Sequence, residues 1–475
     1  MEVLKEHQTE SEWPKQQRNA KKGKKIYKAV WRWHFYAGIF FAPLIVLLSI
    51  TGGIYLFKPQ IEDSMYHDLY YVEEGEQKLT PTEQITEVER NYPNAEIISF
   101  TPSFETDRSS VVSIEDAEGN ISVYVNPYNG EITGSLNEND RFMAFIKLLH
   151  NGELWGGTIG NRLVELAACW TIILIITGAY LWWPTTWKSI YGTFIPRIRK
   201  YKGKRLLWRD LHAVTAIWFS LFLIIQLFSG LMWSDIWGGM AHRAVETTGA
   251  GSPVGDQPWE THAFPESSIS TKEVADVPWA AENLPVPNST SNGVSTVSAE
   301  KVMQIAQEKN IHPGYQIVLP KEETGVYTVY LDPAEVYPNR PSPHAQQTLH
   351  IDQYSGEVLE DYGWDDYGSI GKLVTYGIAF HQGEFGIFNQ LLSLILVIAI
   401  ILIPVSGLVM WWKRKPNGKL GAPALPENFK MLKGVTIIVL SFSIFFPLVG
   451  LSLLLVWVLD WFVIKRIPAV KQWLS

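Results

Sequence analysis

Trp31-Arg32-Trp33-His34 heads an apolar run that continues to Phe57, and Trp208-Arg209-Asp210-Leu211-His212 heads another that continues to Trp233. Apolar runs of this length can cross a hydrocarbon core of about 30 Å. The shared heading residues make the two runs copies of one membrane unit. The register holds further along. Thr51-Gly52 follows His34 at the interval at which Ser229-Gly230 follows His212, about 26 Å along a helix rising about 1.5 Å per residue. Both copies therefore carry a histidine at the same depth.

The following spans repeat as well. Leu149-His150-Asn151-Gly152-Glu153 precedes the apolar segment Leu163 to Trp183, and Phe380-His381-Gln382-Gly383-Glu384 precedes Leu391 to Trp412. Each is a His-x-Gly-Glu motif in front of a membrane helix. The two helices also end alike, with Thr177-Gly178 before Trp182-Trp183 and Ser406-Gly407 before Trp411-Trp412.

Together these patterns predict an α-helical membrane protein of about five transmembrane helices in a duplicated unit, with two small α+β modules between them. The spans fall at 28–58, 149–184 (with the first His-x-Gly-Glu), 207–234, 380–413 (with the second) and 434–465. Lysine and arginine set the orientation. They crowd the tail 1–27, the loop 185–206 and the start of the loop 414–433, whereas Lys58 to Asn161 carries 19 acidic and 6 basic residues and 235–379 is similarly acidic. The chain is therefore expected in the cytoplasmic membrane with its N-terminus cytoplasmic and its long loops outside. The net charge of −8 is the sum of these opposed regions. The first run is too long for a cleaved leader. The last is expected to be one helix kinked at Pro447, leaving the tail 466–475 outside. The single cysteine, Cys169, excludes internal disulfides and covalent c-type haem.

Within the loop 59–148, Pro81 to Tyr92 reads as an amphipathic helix, followed by strands near Val111–Ile114 and Ile121–Val125 and a turn at Asn126-Pro127-Tyr128-Asn129-Gly130 into another strand. The loop 235–379 repeats the order, with a helix over Ser298–Glu308, strands over Tyr315–Leu319 and Val326–Leu331, and the turn Tyr354-Ser355-Gly356-Glu357. Gly251 to Asn292 reads as a flexible insertion.

On Trp31-Arg32-Trp33-His34 to Gly38, Leu149 to Glu153, Asp210-Leu211-His212 and His381 to Glu384, the chain resembles the PepSY-associated transmembrane helix family, which includes iron-regulated inner-membrane proteins and ferric-siderophore reductases. The resemblance implies two PepSY-like modules and b-type haem held by His34, His150, His212 and His381. Larger relatives carry a flavin and nicotinamide domain, for which this sequence has no Gly-x-Gly-x-x-Gly signature.

Topology leads to a similar reading. His34 and His212 fall at the inner boundary, His150 and His381 at the outer one, giving two pairs at two depths. Two imidazoles on one haem iron leave no open position and favour electron transfer. The expected cofactors are two haem b groups, and the expected activity is a transmembrane oxidoreductase, a haem-dependent ferric (siderophore) reductase. Electrons would come from a quinol or a cytoplasmic flavoprotein reductase and leave at the outer pair to a ferric siderophore or other ferric chelate. Membrane lipid is the other expected partner, and nucleic acid is not expected. Two alternatives stay open, a non-enzymatic PepSY membrane regulator or binding protein and a metal permease. Glu153 and Glu384 could orient the histidines, bind metal outside or cap the next helix. Arg32 and Arg209 could pair with haem propionates or supply positive-inside charge. The tryptophan pairs suit an aromatic belt, and their rings could also line a haem pocket. The seven other histidines, His7, His67, His242, His262, His312, His344 and His350, have no repeat partner and are expected to be solvated or structural.

Overall fold

The computed structural model of the protein describes residues 15–184, 190–197, 204–248, 269–290, 295–424 and 433–474. The chain divides into a helical unit (Met1–Ile50, Asn151–Trp237 and Ile395–Ser475) and a sheet unit (Thr51–His150 and Gly238–Leu394). Of the expected flexible insertion Gly251–Asn292, residues 251–268 and 291–292 lie outside the described residues, as do His262 and the tail bearing His7, whereas 269–290 are not a loose linker but bury Ala275, Val277, Ala281 and Leu284.

Among the described residues, five helices are long and apolar enough to cross a membrane: Gly23–Tyr55, Thr158–Trp182, Arg205–Leu231, Ile387–Trp412 and Pro447–Ile464. Lipid is as apolar as leucine, so helices in it associate through close packing, which small residues permit. Ala167 and Cys169 are fully buried at such contacts, Ala167 against Phe41 and Ile45, Cys169 against Ile172, Leu231 and Phe446. Large side chains such as Phe40, Leu221 and Ile444 face outward.

The last apolar run differs from expectation. It is two helices, Lys433–Phe445 and Pro447–Leu459, parted at Phe446 with φ −119° and ψ 86°. Proline drives the residue before it out of the helical region and lacks the N–H that would continue the ladder. The break is tight, because a Cβ on Gly450 would lie 2.9 Å from the Ser443 carbonyl oxygen. The C-terminal residues then come back to the start of the first span. Tyr36 Oη donates to Leu474 O at 3.0 Å, and Leu420 N to Trp473 O at 2.7 Å. A single kinked helix with its tail at the far side is thereby replaced by a broken one whose tail lies at the Tyr36 end.

In the sheet unit the strands of the two loops join. They are β1 (Glu96–Thr101), β2 (Ser110–Asp116), β3 (Gly119–Val125), β4 (Ile132–Asn137), β5 (Gln316–Val318), β6 (Val326–Leu331), β7 (Gln347–Asp352) and β8 (Val358–Gly363). One antiparallel sheet runs in the order β4-β3-β2-β1-β5-β6-β7-β8. The seam pairs Ser99 with Val318 and Phe100 with Ile317. Instead of two separate modules, the loops thus form two halves of a continuous sheet. The helices Pro81–Asn91 and Ala299–Glu308 cover one face, placing Ile85, Val88, Val302 and Ile305 against Phe100, Val112, Ile317 and Val329. Thr80 and Glu83 close a capping box at the start of the first helix. On the other face, Ala275, Val277, Ala281 and Leu284 cover Val318, Tyr330 and Tyr362. That second layer explains why β6 is buried at every residue while β2 alternates.

Candidate functional site

The four motif histidines meet in two pairs. In the helical unit the ring centroids of His34 and His212 are 6.2 Å apart with planes at 88°. In the sheet unit those of His150 and His381 are 6.5 Å apart with planes at 67°. These are the pairings that depth predicts.

The hydroxyl–glycine pairs of the sequence are the seats of these rings. His34 Nδ1 lies 2.9 Å from Thr177 Oγ1, and a Cβ on Gly178 would come within 3.3 Å of His34 Cε1. His150 Nδ1 lies 3.0 Å from Thr51 Oγ1, and a Cβ on Gly52 would sit 2.9 Å from His150 Cε1. His212 Nδ1 lies 2.8 Å from the Ile403 carbonyl oxygen, beside Gly407, whose Cβ would be 3.4 Å from the ring. Each of these rings thus rests edge-on over a glycine. The sequence shows the pairs only as markers of register, and the Ile403 carbonyl leaves no side-chain signal at all.

The other two motif glycines set the ends of short helices. His150 lies in the last turn of Phe142–Asn151 and His381 in the last turn of Ser369–Gln382, so neither begins the span that follows. Gly152 (φ +84°) and Gly383 (φ +77°) take the left-handed conformation that ends a helix without a Cβ penalty. The two motif glutamates part company. Glu153 is exposed, whereas Glu384 is buried, and burial, reinforced by Asp332, pushes its carboxyl up to about 8. Burial also pushes Asp332 up to about 6. Nearby, the Lys58 ammonium grips both oxygens of Glu335, at 2.8 and 2.7 Å, and holds that carboxyl below its usual range.

Arg32, Arg197 and Arg209 are engaged by the protein. Arg209 and Arg197 both bind the fully buried Asp210, at 2.6 and 2.7 Å, and Arg32 donates to Pro423 O and Tyr36 Oη. Trp182 Nε1 donates to Thr193 O at 2.9 Å and Trp411 Nε1 to Leu420 O at 2.7 Å, while Trp183 and Trp412 are largely exposed. Of the remaining described histidines, His350 is a core residue held by Thr328 Oγ1 at 3.0 Å, and burial pulls its ring down to about 4. His242 accepts from Trp279 Nε1, His312 contacts the Pro313 carbonyl, His344 meets Tyr376 and His67 stacks on Tyr71.

With this geometry in place, the comparison with protein families is decisive for kinship. The family model of the PepSY-associated TM region matches residues 31–414. The chain belongs to that family. No functionally curated protein matches the sequence. The PepSY-associated region begins at Trp31 and ends at Arg414, so it takes in all four paired histidines and the whole sheet.

The pairs can be tested as ligand sets. Among the described residues no group of three or more His, Cys, Asp or Glu side chains is arranged to hold a bare metal ion. Two imidazoles suit an iron that brings its own equatorial ligands, as haem does. An axial pair needs a bond of about 2 Å on each side plus roughly 1 Å from the bonding nitrogen to the ring centre, or about 6 Å between centroids. The observed 6.2 and 6.5 Å fit that requirement.

Proposed function

We propose that this PepSY-associated membrane protein is a dihaem oxidoreductase that carries electrons across the cytoplasmic membrane to a ferric chelate, a siderophore complex being the fitting class. The observation that carries the reading is the spacing of both histidine pairs, 6.2 and 6.5 Å between centroids, at which one iron can be bound from both sides. When bound, haem with two imidazole ligands supplies a one-electron carrier without an open coordination position. His34 and His212 would hold the group nearer the basic loops, His150 and His381 the group nearer the acidic ones. The charge asymmetry of the loops supports a cytoplasmic N-terminus and an exit at the His150–His381 pair. A quinol donor would give two electrons and two protons, reducing two ferric chelates to ferrous ones, and a cytoplasmic flavoprotein reductase would serve equally. Reduction weakens the hold of hard oxygen ligands on iron.

The test is the purified protein itself. A low-spin b-type spectrum and pyridine haemochrome analysis are expected to give two haems per chain, and the chemically reduced protein is expected to reduce ferric chelates. A chain without haem would return the alternatives, a PepSY regulator or a metal permease. One haem in fully loaded protein would overturn the two-site scheme.

A further inference from the structure

The two inner rings are fixed by acceptors of different kinds. Thr177 Oγ1 gives its own proton to the backbone, at 2.7 Å from Ile173 O and 3.2 Å from Leu174 O. Its contact with His34 Nδ1 at 2.9 Å must then run the other way, with the ring N–H donating and the hydroxyl oxygen accepting. Ile403 O can only accept, so His212 Nδ1 also carries a proton. Both rings are therefore held as the Nδ1–H tautomer, with the lone pair on Nε2, the nitrogen a metal would take. Each ring is fixed at Nδ1 by its acceptor, and Gly178 and Gly407 leave the room its edge occupies, since a Cβ there would come within 3.3 Å of His34 Cε1 or 3.4 Å of the His212 ring. The planes stand at 88°.

Resting on the dihaem reading, we propose that Thr177-Gly178 and the Ile403 carbonyl with Gly407 are positioning elements that hold His34 and His212 as crossed, tautomer-locked axial ligands. Crossed imidazole planes leave the iron d orbitals nearly degenerate, whereas parallel planes split them. The inner haem should accordingly give a strongly anisotropic low-spin signal, and the hydrogen bond from Nδ1 to Thr177, which raises the basicity of His34, should lower its potential.

A visible spectrum is taken first, and absence of haem there would overturn the functional reading and this inference with it. Electron paramagnetic resonance and redox titration then follow on oxidised protein, with His381→Ala isolating the inner signal. The expected inner signal is strongly anisotropic. Thr177→Val is expected to move it toward the rhombic form and raise the inner midpoint potential, while Thr177→Ser, which keeps the acceptor, retains both. A rhombic inner signal in the unmodified protein, or an unchanged signal and potential in Thr177→Val, would overturn the proposal. If Thr177→Val folds poorly, the unmodified protein decides, since crossed planes are required there in any case.

Discussion

At the scale of single residues, the site is built as much by missing side chains as by present ones. Gly52 lies in the first membrane helix, where alanine would be favoured by about 1 kcal/mol, yet its Cβ would come 2.9 Å from His150 Cε1. Gly52→Ala is therefore expected to leave the fold intact and displace the ring, bringing haem content from two per chain toward one by pyridine haemochrome assay. A variant that kept both haems would remove the glycine from the seat. The pairing has its own check. His150→Ala and His381→Ala are expected to erase one and the same haem signal, and His34→Ala and His212→Ala the other. Loss of different signals within a pair would break the assignment. The histidines were legible in sequence because their motifs recur along the chain. Their partners were only half legible, since Thr51, Thr177 and Gly407 show as repeated letters while the Ile403 carbonyl looks like any other peptide group.

Among the elements, the helices that carry His150 and His381 are cut by glycine. Gly383→Ala would force a left-handed Cβ, at about 1–2 kcal/mol, and would also press on Leu56 at 2.5 Å and the Gln390 backbone at 3.2 Å. A lower melting temperature and loosened His381 ligation are expected, read by calorimetry and by the haem spectrum. Just past that glycine, Glu384 gives the sheet unit a pH dependence of definite sign. Its folded carboxyl titrates at about 8, above the usual value of 4.5, so its favourable contribution is complete below pH 4.5 and is lost as pH rises through 8. Thermal melts are expected to show stability falling over that window, with Glu384→Gln flattening the fall. An equal slope in the variant would locate the titration elsewhere. Elements were legible where their period was clean. Val326–Leu331 stands as expected, but β1 was missed because a bulge between Ile97 and Ser99 breaks its alternation. Pro447 was noticed as a kink, whereas Phe446 in fact leaves the helix altogether.

For the molecule as a whole, joining the two loops into one sheet depends on β1 finding β5, more than 200 positions along the chain. Hydrophobic period names strands but not their distant partners, so sequence suggested two modules. Transport across the membrane is the functional test at this scale. In sealed vesicles of known orientation, with donor on the side of the basic loops, His34→Ala is expected to abolish reduction of an impermeant ferric chelate on the other side. Activity equal to that of the unmodified protein would exclude a relay through both pairs. The seats of His34 and His212 carry one more consequence. His34, Thr177, His212 and Ile403 come from four different spans, so whatever ties the two imidazoles together also fastens four helices of the helical unit. Ligand binding stabilises the folded state by mass action, and on the proposed dihaem reading a cell short of haem would hold this protein in a looser, more protease-sensitive form. Cofactor supply would then set how much of the protein survives in the membrane, making its abundance a record of the haem available when it was made.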